Sequence, residues 1–276
     1  MIPKVLHLYW GRNKPLSWMR MFTVLSFAHF NPDWKICVWQ PIETSDASPW
    51  KEQQADPITG RDWFDELSPY AEICTFDFAL LGIPPETPEV IKSDCLRWHL
   101  LHTFGGLWSD FDIVYVKPMW EPGASADAWL SQHTDFRGQP FFTIGVMLAA
   151  AGCPFIGAVL REALDTFNPS EYQSAGSEAL GRCITRIGGI PSYVKALPAS
   201  KVYPVASWHD RRLFSGEPLV LEDDTVGIHW WAGSWRTPKD AASIHPGNMN
   251  GFSGPLFQHV QRVYDQMNQQ RTDVCP

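Results

Sequence analysis

The sequence lacks paired cysteines and lacks an excess of positive charge, and each absence excludes a class of protein. Its six cysteines are scattered along 276 residues without a C-x-x-C pair. This spacing argues against a disulfide framework or a zinc site and favours reduced cysteines in the core of a cytoplasmic protein. The formal net charge of −8 argues against the backbone of a nucleic acid as a partner. We therefore expect no nucleic-acid binding.

Long apolar runs are also scarce. The chain opens MIPKVLHLYWG, without the basic start, apolar stretch and cleavage site of a signal peptide. Residues 141–160 are uncharged for long enough to span a bilayer, but Gly152, Cys153 and Pro154 interrupt them. We interpret this stretch as a buried strand, a turn and a helix that begins at Pro154. The expectation is a cytoplasmic protein with no transmembrane segment.

The most informative stretch is 93–118, SDCLRWHLLHTFGGLWSDFDIVYVKP. An apolar stripe predicts a helix that ends at residues 105–106, because glycine adopts the left-handed conformation of a helix C-terminus. Residues 107–116 are β-branched, aromatic or aliphatic around Asp110 and Asp112, which predicts a buried strand. Side chains alternate along a strand, so both carboxylates should emerge on the same side. Because two carboxylates are costly to bury without a cation, the pattern predicts a metal site.

Neither feature of this stretch is decisive alone. An Asp-x-Asp triplet also occurs in surface loops. Asp94 and Arg97 lie on one helical face, where they can bind a polar ligand or form a solvated ion pair worth less than about 1 kcal/mol. Their spacing leaves both interpretations open.

The combined pattern resembles the Asp-x-Asp region of sugar-nucleotide glycosyltransferases. It is most similar to the group that contains initiating α-1,6-mannosyltransferases, capsular-polysaccharide transferases and the catalytic domains of clostridial toxins. That group shares an Asp-x-x-Arg, a helix, Gly-Gly, an aromatic residue and an Asp-x-Asp. The matching residues here are Asp94, Arg97, Gly105, Gly106, Trp108, Asp110 and Asp112. Trp108 replaces a frequent Tyr and Phe111 a frequent small or aliphatic residue, and both departures are mild.

This resemblance implies a GT-A fold, an α/β domain with a mostly parallel twisted sheet flanked by helices, over residues 1–276. It implies metal-dependent transfer of a hexose, with retention, from a UDP- or GDP-sugar to a hydroxyl group of a glycan or another acceptor. Such a reaction serves polysaccharide or glycoconjugate synthesis. Asp112 and Asp110 would bind Mn²⁺ or Mg²⁺, while Asp94 and Arg97 would hold the sugar hydroxyls. We recognise no separate nucleophile, which favours front-side attack assisted by the leaving phosphate.

The first strand carries a further matching position. Residues 5–10 predict a parallel strand, and the resemblance implies that Trp10 packs on the nucleotide base. A core tryptophan at a strand end is the alternative interpretation of Trp10. Trp108 is the second aromatic residue that the resemblance assigns to the nucleotide sugar.

The segment near the end of the chain completes the pattern. Residues 226–231 predict a strand, in which a lone His229 is ordinarily a satisfied core residue. The resemblance instead implies that His229 binds the metal and that Ser234 and Trp235 contact the diphosphate. We expect the loop that contains Ser234 and Trp235 to close over the donor.

The remaining elements follow from periodicity and breakers. Helices are predicted at 17–30, 63–81, 155–167 and 254–270, strands at 34–39 and 141–149, an irregular loop at 41–61, and a closing segment with its helix at 229–276.

Two other functions stay open on the sequence. The run 110–114 also fits a phosphatase pattern of an Asp nucleophile and an Asp general acid after a strand. Fourteen tryptophans would suit a catalytically silent carbohydrate-binding protein, since flat aromatic faces stack on sugars. Phosphatase activity on a small phosphoester would favour the first function, and glycan binding without donor turnover the second.

Overall fold

The structure is a computed structural model and describes residues 1–47, 60–121, 126–135, 137–234 and 236–274. Its strands are β1 (Val5–Tyr9), β2 (Lys35–Pro41), β3 (Glu72–Phe76), β4 (Gly106–Ser109), β5 (Ile113–Tyr115), β6 (Ala128–Thr134), β7 (Pro140–Ala149), β8 (Val194–Pro198) and β9 (Gly227–His229). Its α-helices are α1 (Trp18–Phe30), α2 (Glu89–Thr103), α3 (Pro154–Thr166), α4 (Ser177–Ile187) and α5 (Pro255–Val274).

A mixed sheet organises the chain. Seven strands lie in the order β3-β2-β1-β4-β7-β6-β8, and β5 pairs with β9 in a separate two-stranded sheet. The pairs β3–β2, β2–β1, β1–β4 and β6–β8 are parallel, whereas β7 is antiparallel to both of its neighbours. The predicted α/β fold with a mostly parallel sheet is confirmed.

Helices cover both faces of this sheet. One core contains Phe22 of α1 and Val260 of α5. The other core contains apolar residues of α2, α3 and α4, among them Leu96. Strand β1 serves both cores, since Leu8 belongs to the first and Tyr9 to the second. The sheet is therefore buried on both sides, as its near-continuous apolar strands require.

Two glycines connect α2 to the central strand. Gly105 and Gly106 have φ angles of 68° and 105°, in the left-handed region that favours glycine. A Cβ at position 106 would overlap the carbonyl oxygen of Val5 on β1. The close approach of β1 and β4 therefore requires glycine, and the predicted helix end is confirmed.

The predicted strand at 107–116 is wrong in one respect, because the chain leaves the sheet in its middle. Strand β4 ends at Ser109, and β5 starts at Ile113 in the second sheet. The backbone N–H of Ile113 donates to the Thr23 hydroxyl of α1 at 3.2 Å, and that of Tyr115 to the Ser26 hydroxyl at 3.1 Å. These hydroxyls accept the hydrogen bonds that backbone N–H groups of β5 would otherwise donate to a neighbouring strand. Asp110 and Asp112 therefore lie in a link between the two sheets.

The predicted helix at 63–81 is also wrong. The segment forms two 3₁₀ turns, Asp65–Leu67 and Phe78–Leu81, on either side of β3. Pro69 explains the break: the first 3₁₀ turn has its C-terminal cap at Ser68, directly before Pro69, and proline lacks the backbone N–H that a continuing helix would need. Strand β3 then extends the sheet at its edge beside β2.

The later elements differ in extent from the sequence prediction. Strands β6 and β8 have no counterpart in it, and β9 is shorter than the predicted 226–231 because Trp231 turns the chain with a φ of 56°. The terminal helix α5 packs on α1 and on a 3₁₀ segment, Ser207–Leu213. Most of the loop predicted at 41–61 lies outside the described residues. Within the described part of the chain, no helix has both the length and the apolar character that crossing a bilayer requires.

Candidate active site

The link between β4 and β5 places both carboxylates of the Asp-x-Asp at one cleft. The backbone N–H of Asp110 donates to the carbonyl of Gly145 on β7 at 2.8 Å, which holds the start of the link. The carbonyl of Asp112 accepts from the N–H of Trp230 at 2.9 Å, which holds its end. Asp110 remains one-third exposed while Asp112 is buried. The site therefore joins the middle of the chain to a segment about 120 residues further on.

Asp112 contacts that distant segment through both carboxylate oxygens. Its Oδ1 lies 3.1 Å from Nε2 of His229, and its Oδ2 accepts from the N–H of Ala232 at 2.9 Å. Burial acts to raise the pKa of Asp112, but His229, the nearby Arg20 and the hydrogen bond from Ala232 together outweigh burial and lower that pKa to about 2. Asp112 is therefore an anion at neutral pH, ready to bind a cation.

His229 is held by its neighbours in one orientation. The N–H of Trp231 donates to Nδ1 at 3.2 Å, so Nε2 carries the ring proton toward Asp112. The ring of Tyr203 stacks on the imidazole at 4.9 Å, with 29° between the planes. A metal bound at Nε2 would take the place of that proton.

These three residues form a donor set for a metal ion. One ligand atom from each of Asp110, Asp112 and His229 lies within 4.8 Å of the other two. Two carboxylate oxygens and one imidazole nitrogen suit Mn²⁺ or Mg²⁺, whose remaining positions phosphate oxygens and water can fill. The residues present therefore fit the predicted metal.

Arg97 connects this set to α2. Its guanidinium lies 2.7 Å from Asp94 Oδ1 and 3.3 Å from Asp110 Oδ1, and it donates to the carbonyl of Ile144 at 2.8 Å. Arg97 and Asp94 are both about 95% buried, so the pair is not solvated surface charge. Burial raises the pKa of Asp94 to about 7, against the opposing effect of Arg97. The pair compensates its own charges, but Arg97 Nε is buried without a hydrogen-bond partner in the described part of the chain, and a polar ligand at this pair would supply one.

Trp108 contacts both Asp110 and Arg97. Its indole N–H donates to Asp110 Oδ1 at 3.0 Å, and the guanidinium of Arg97 lies 4.8 Å from its ring centre. The side chain is almost wholly buried. The geometry supports orientation of the carboxylate by Trp108, and its predicted contact with the nucleotide sugar stays a prediction.

Trp10 and residues of α2 line a cleft of about 320 Å³. The Trp10 ring meets Phe111 edge-on at 5.7 Å, and the guanidinium of Arg20 lies 5.3 Å from its centre. Trp10 is partly exposed, and its predicted packing on the nucleotide base stays a prediction. Asp94, Arg97, Trp108, Asp110 and Asp112 line the same cleft.

Ser234 lies beside this site, and a hydrogen bond to a buried residue holds its side chain. Its hydroxyl donates to Asp210, a fully buried residue of the 3₁₀ segment, Ser207–Leu213. Gly233 lines the cleft with the two aspartates. Trp235 lies outside the described residues, so the predicted diphosphate contacts of Ser234 and Trp235 stay predictions.

Sequence reasoning misses two contributors. Tyr203, which stacks on His229, lies in a segment to which the sequence assigns no role. Glu89 lines the cleft and accepts from the Tyr9 hydroxyl, the Ser45 N–H and, at 2.9 Å, the Lys92 ammonium. The acidic first turn of α2 is the one available signal for Glu89.

Comparisons with known proteins identify sequences and folds that resemble this chain. Residues 17–135 match the family model described as the glycosyltransferase sugar-binding region containing DXD motif. No curated protein matches the chain. Among solved structures, the PaToxG glycosyltransferase is similar with a TM-score of 0.50 and 17% identity, covering 67% of this chain and 70% of that one.

Two further solved structures are similar at a lower level. The catalytic domain of α-toxin from Clostridium novyi has a TM-score of 0.43 and 9% identity, covering 60% of this chain and 58% of that one. Galactosyltransferase LgtC, in complex with donor and acceptor sugar analogs, has a TM-score of 0.40 and 12% identity, covering 90% of this chain and 99% of that one.

Proposed function

We propose that the chain is a glycosyltransferase with a specific reaction, since residues 17–135 match the glycosyltransferase sugar-binding region containing DXD motif and the fold is similar to that of a solved glycosyltransferase. The reaction is metal-dependent transfer of a hexose from a UDP- or GDP-sugar to a hydroxyl acceptor, with retention at the anomeric carbon. Polysaccharide or glycoconjugate synthesis is the setting that such a transfer serves.

One observation carries the proposal. The donor set of Asp110, Asp112 and His229 lies in contact with the buried pair of Asp94 and Arg97, through the shared carboxylate of Asp110. A nucleotide sugar presents a diphosphate next to a ring rich in hydroxyls. A cation site next to a buried, polar, charged pair matches that order of groups.

The donor set would hold Mn²⁺ or Mg²⁺ in this reaction. When bound, the cation supplies neutralisation of the negative charge that develops on the leaving diphosphate. Trp108 and Arg97 keep Asp110 in place by their bonds to Oδ1, and Ala232 does the same for Asp112. These contacts fix the carboxylates before a donor arrives, which lowers the cost of reorganisation.

The protein's other residues bind and orient the donor. Asp94 and Arg97 hold sugar hydroxyls and thereby set the angle of the anomeric carbon. Trp10 offers a ring face to the nucleotide base. Neither role needs a proton transfer from the protein.

Front-side attack accounts for retention without a protein nucleophile. Asp94 is paired with Arg97, and Asp112 with His229; Asp110 also binds Arg97. In the proposed step the bond from the anomeric carbon to the diphosphate oxygen breaks, and the acceptor oxygen forms the new bond on the same face. The acceptor's hydroxyl proton passes to the departing diphosphate, so atoms and charge balance.

A donor panel tests this proposal. UDP- and GDP-hexoses are screened by thermal shift with and without Mn²⁺, and the stabilising donors are assayed for turnover. We expect EDTA to abolish turnover and Mn²⁺ to restore it. Asp112→Asn should lower turnover roughly 100-fold or more, in the range seen when one stabilising group is removed.

A matched variant separates chemistry from folding. Asp33→Asn makes the same change at an exposed residue paired with Lys4 and should leave turnover unchanged. Full activity after exhaustive chelation would rule out the metal role. Phosphate release from simple phosphoesters, or glycan binding without donor turnover, would favour the phosphatase or the silent binding protein instead.

A further inference from the structure

A second cavity opens on the other side of the two aspartates. It has a volume of about 840 Å³ and is bounded by β7, α4 and the segment after β9. Asp110, Asp112, Tyr172, Gln173 and Gly233 line both this cavity and the 320 Å³ cleft. The two spaces therefore meet at the carboxylates, where a transferred group would pass from one ligand to the other.

The two spaces differ in chemistry. The first cleft is lined by many charged and polar side chains, including Lys14, Arg20 and Glu89. The second contains a larger share of apolar surface from β7 and α4. Its apolar lining residues include Phe141, Phe142, Leu180, Ile184 and Trp231. Aromatic faces in this lining can stack on a sugar ring, but a ligand composed only of hydroxyl-bearing rings would leave the aliphatic side chains of Leu180 and Ile184 unmatched.

One polar group of the second cavity, the Tyr203 hydroxyl, lies near Asp110, where the two spaces meet. The hydroxyl of Tyr203 is buried and makes no well-formed hydrogen bond within the described part of the chain, because the Thr143 hydroxyl that interacts with it is bonded to His133 at 3.0 Å. A Cβ at Gly145 would lie 2.7 Å from that Tyr203 hydroxyl and 2.8 Å from Asp110 Oδ2. The absence of a side chain at position 145 thus keeps the space between Tyr203 and Asp110 open.

An unsatisfied buried hydroxyl is costly, typically by about 1–3 kcal/mol, and needs a partner from a ligand or water. A ligand in the second cavity with a hydroxyl near Asp110 would supply that partner. Its remaining surface would face the aromatic and aliphatic side chains of β7 and α4. The volume suits a ligand of one or two rings with an attached apolar group.

We propose that the second cavity binds the acceptor, and that this acceptor is amphipathic, with an alkyl or aryl group close to its reacting hydroxyl. The inference rests on the proposed function, because it needs the donor on the first side of the carboxylates. The Tyr203 hydroxyl forms one hydrogen bond with the acceptor. The apolar group of the acceptor fills the space between Phe142 and Ile184.

Matched acceptors test the inference in the wild-type protein. Octyl, phenyl and methyl glycosides of the same sugar carry identical hydroxyls and differ only in the attached group. We expect kcat/KM for the octyl and phenyl glycosides to exceed that for the methyl glycoside by about tenfold or more. The octyl and phenyl arms distinguish an aliphatic from an aromatic group as the preferred one.

Two isoleucines of α4 provide a matched pair of variants. Ile184 lines the cavity, whereas Ile187, at the end of the same helix, is exposed and lies outside it. Ile184→Asn should lower kcat/KM for the octyl and phenyl glycosides and so reduce their preference to near one. Ile187→Asn should change neither quantity. Phe142→Thr, which keeps a good strand former, tests the same preference should Ile184→Asn fold poorly.

The possible outcomes separate the two proposals. Donor turnover with equal kcat/KM for all three glycosides would overturn the amphipathic acceptor and leave the transferase reaction intact. The amphipathic acceptor would be overturned in the same way if Ile184→Asn and Ile187→Asn behaved alike. An absence of both hydrolysis and transfer with every UDP- and GDP-hexose would overturn the proposed reaction, and the acceptor site with it.

Discussion

The pair of Asp94 and Arg97 shows how little a spacing says about environment. On sequence, the two residues could be a solvated ion pair or a ligand site. The structure buries both, with Arg97 shared between Asp94 and Asp110. Buried pairs depend on good geometry and on further hydrogen bonds to offset desolvation. Here the Ile144 carbonyl supplies one such bond to Arg97.

The raised pKa of Asp94 gives a pH dependence with a definite sign. Its folded pKa is about 7, whereas an unfolded aspartate titrates near 4. Between these values the unfolded chain has released a proton that the folded protein keeps. The folded state is therefore stabilised most at low pH, and this contribution falls as pH rises from about 4 to about 7.

Asp94→Asn isolates this contribution. The variant cannot titrate, so the free energy of unfolding of the wild type, relative to the variant, should decline across that window and level off above it. Urea denaturation at half-unit pH steps measures the difference. A difference independent of pH would show that Asp94 titrates in the ordinary range. Asp33→Asn, at an exposed site, is the control.

At the level of elements, the sequence predicts what local patterns encode. The helix before residues 105–106 has both an apolar stripe and a glycine stop, and α2 ends there. The break between β4 and β5 has no local signal, because it arises from hydroxyls of α1 that are about 90 residues away in sequence. Strand β6 depends on its pairing with β7 and β8, which is also non-local.

The residues of the candidate site likewise divide into those that the sequence predicts and those that it does not. The sequence and its family resemblance predict Asp110, Asp112 and His229 as one metal site, and the structure does bring them together. The expected alternation of the two aspartates along one strand is wrong, since the link between the sheets positions them instead. Tyr203 cannot be found from sequence, because its ring reaches His229 only through packing.

The glycine that starts β4 yields a prediction about sheet assembly. Gly106→Ala places a methyl group against the carbonyl of Val5 in addition to imposing a φ of 105°. Gly152→Ala imposes a φ of 75° where the Cβ meets nothing within 4 Å. The control should lose roughly 1–2 kcal/mol of unfolding free energy, the cost of the left-handed conformation.

Gly106→Ala should lose about 3 kcal/mol more than that control, because overpacking adds to the backbone strain. Urea denaturation of both variants provides the comparison. Equal losses would mean that β1 and β4 can separate slightly without cost, and that only the φ angle requires glycine at position 106.

On the scale of the whole molecule, the candidate metal site joins two segments that are far apart in the sequence. Asp112 belongs to the first half of the chain, while His229 and Ala232 belong to a segment that follows several other strands and helices. That segment reaches the core through β9, a three-residue strand paired with β5. Two-stranded sheets of this size have marginal stability by themselves. Contacts at Asp112 therefore decide how firmly the segment is docked.

A bound cation should strengthen this docking and do so locally. At a concentration 100 times Kd, a ligand that binds only the closed form stabilises it by about 2.7 kcal/mol, which corresponds to roughly 100-fold slower opening exchange. We expect Mg²⁺ with UDP or GDP to slow amide exchange in residues 227–234, measured by hydrogen exchange with mass spectrometry. Residues 72–76 of the edge strand β3, which touch no part of the cleft, should exchange at an unchanged rate. Asp112→Asn should remove the effect on 227–234. Amide exchange in residues 227–234 that is slow without ligand and unchanged by Mg²⁺ with UDP or GDP would mean that this segment is as rigid as the sheet. The expected closing of the loop over the donor would then be wrong.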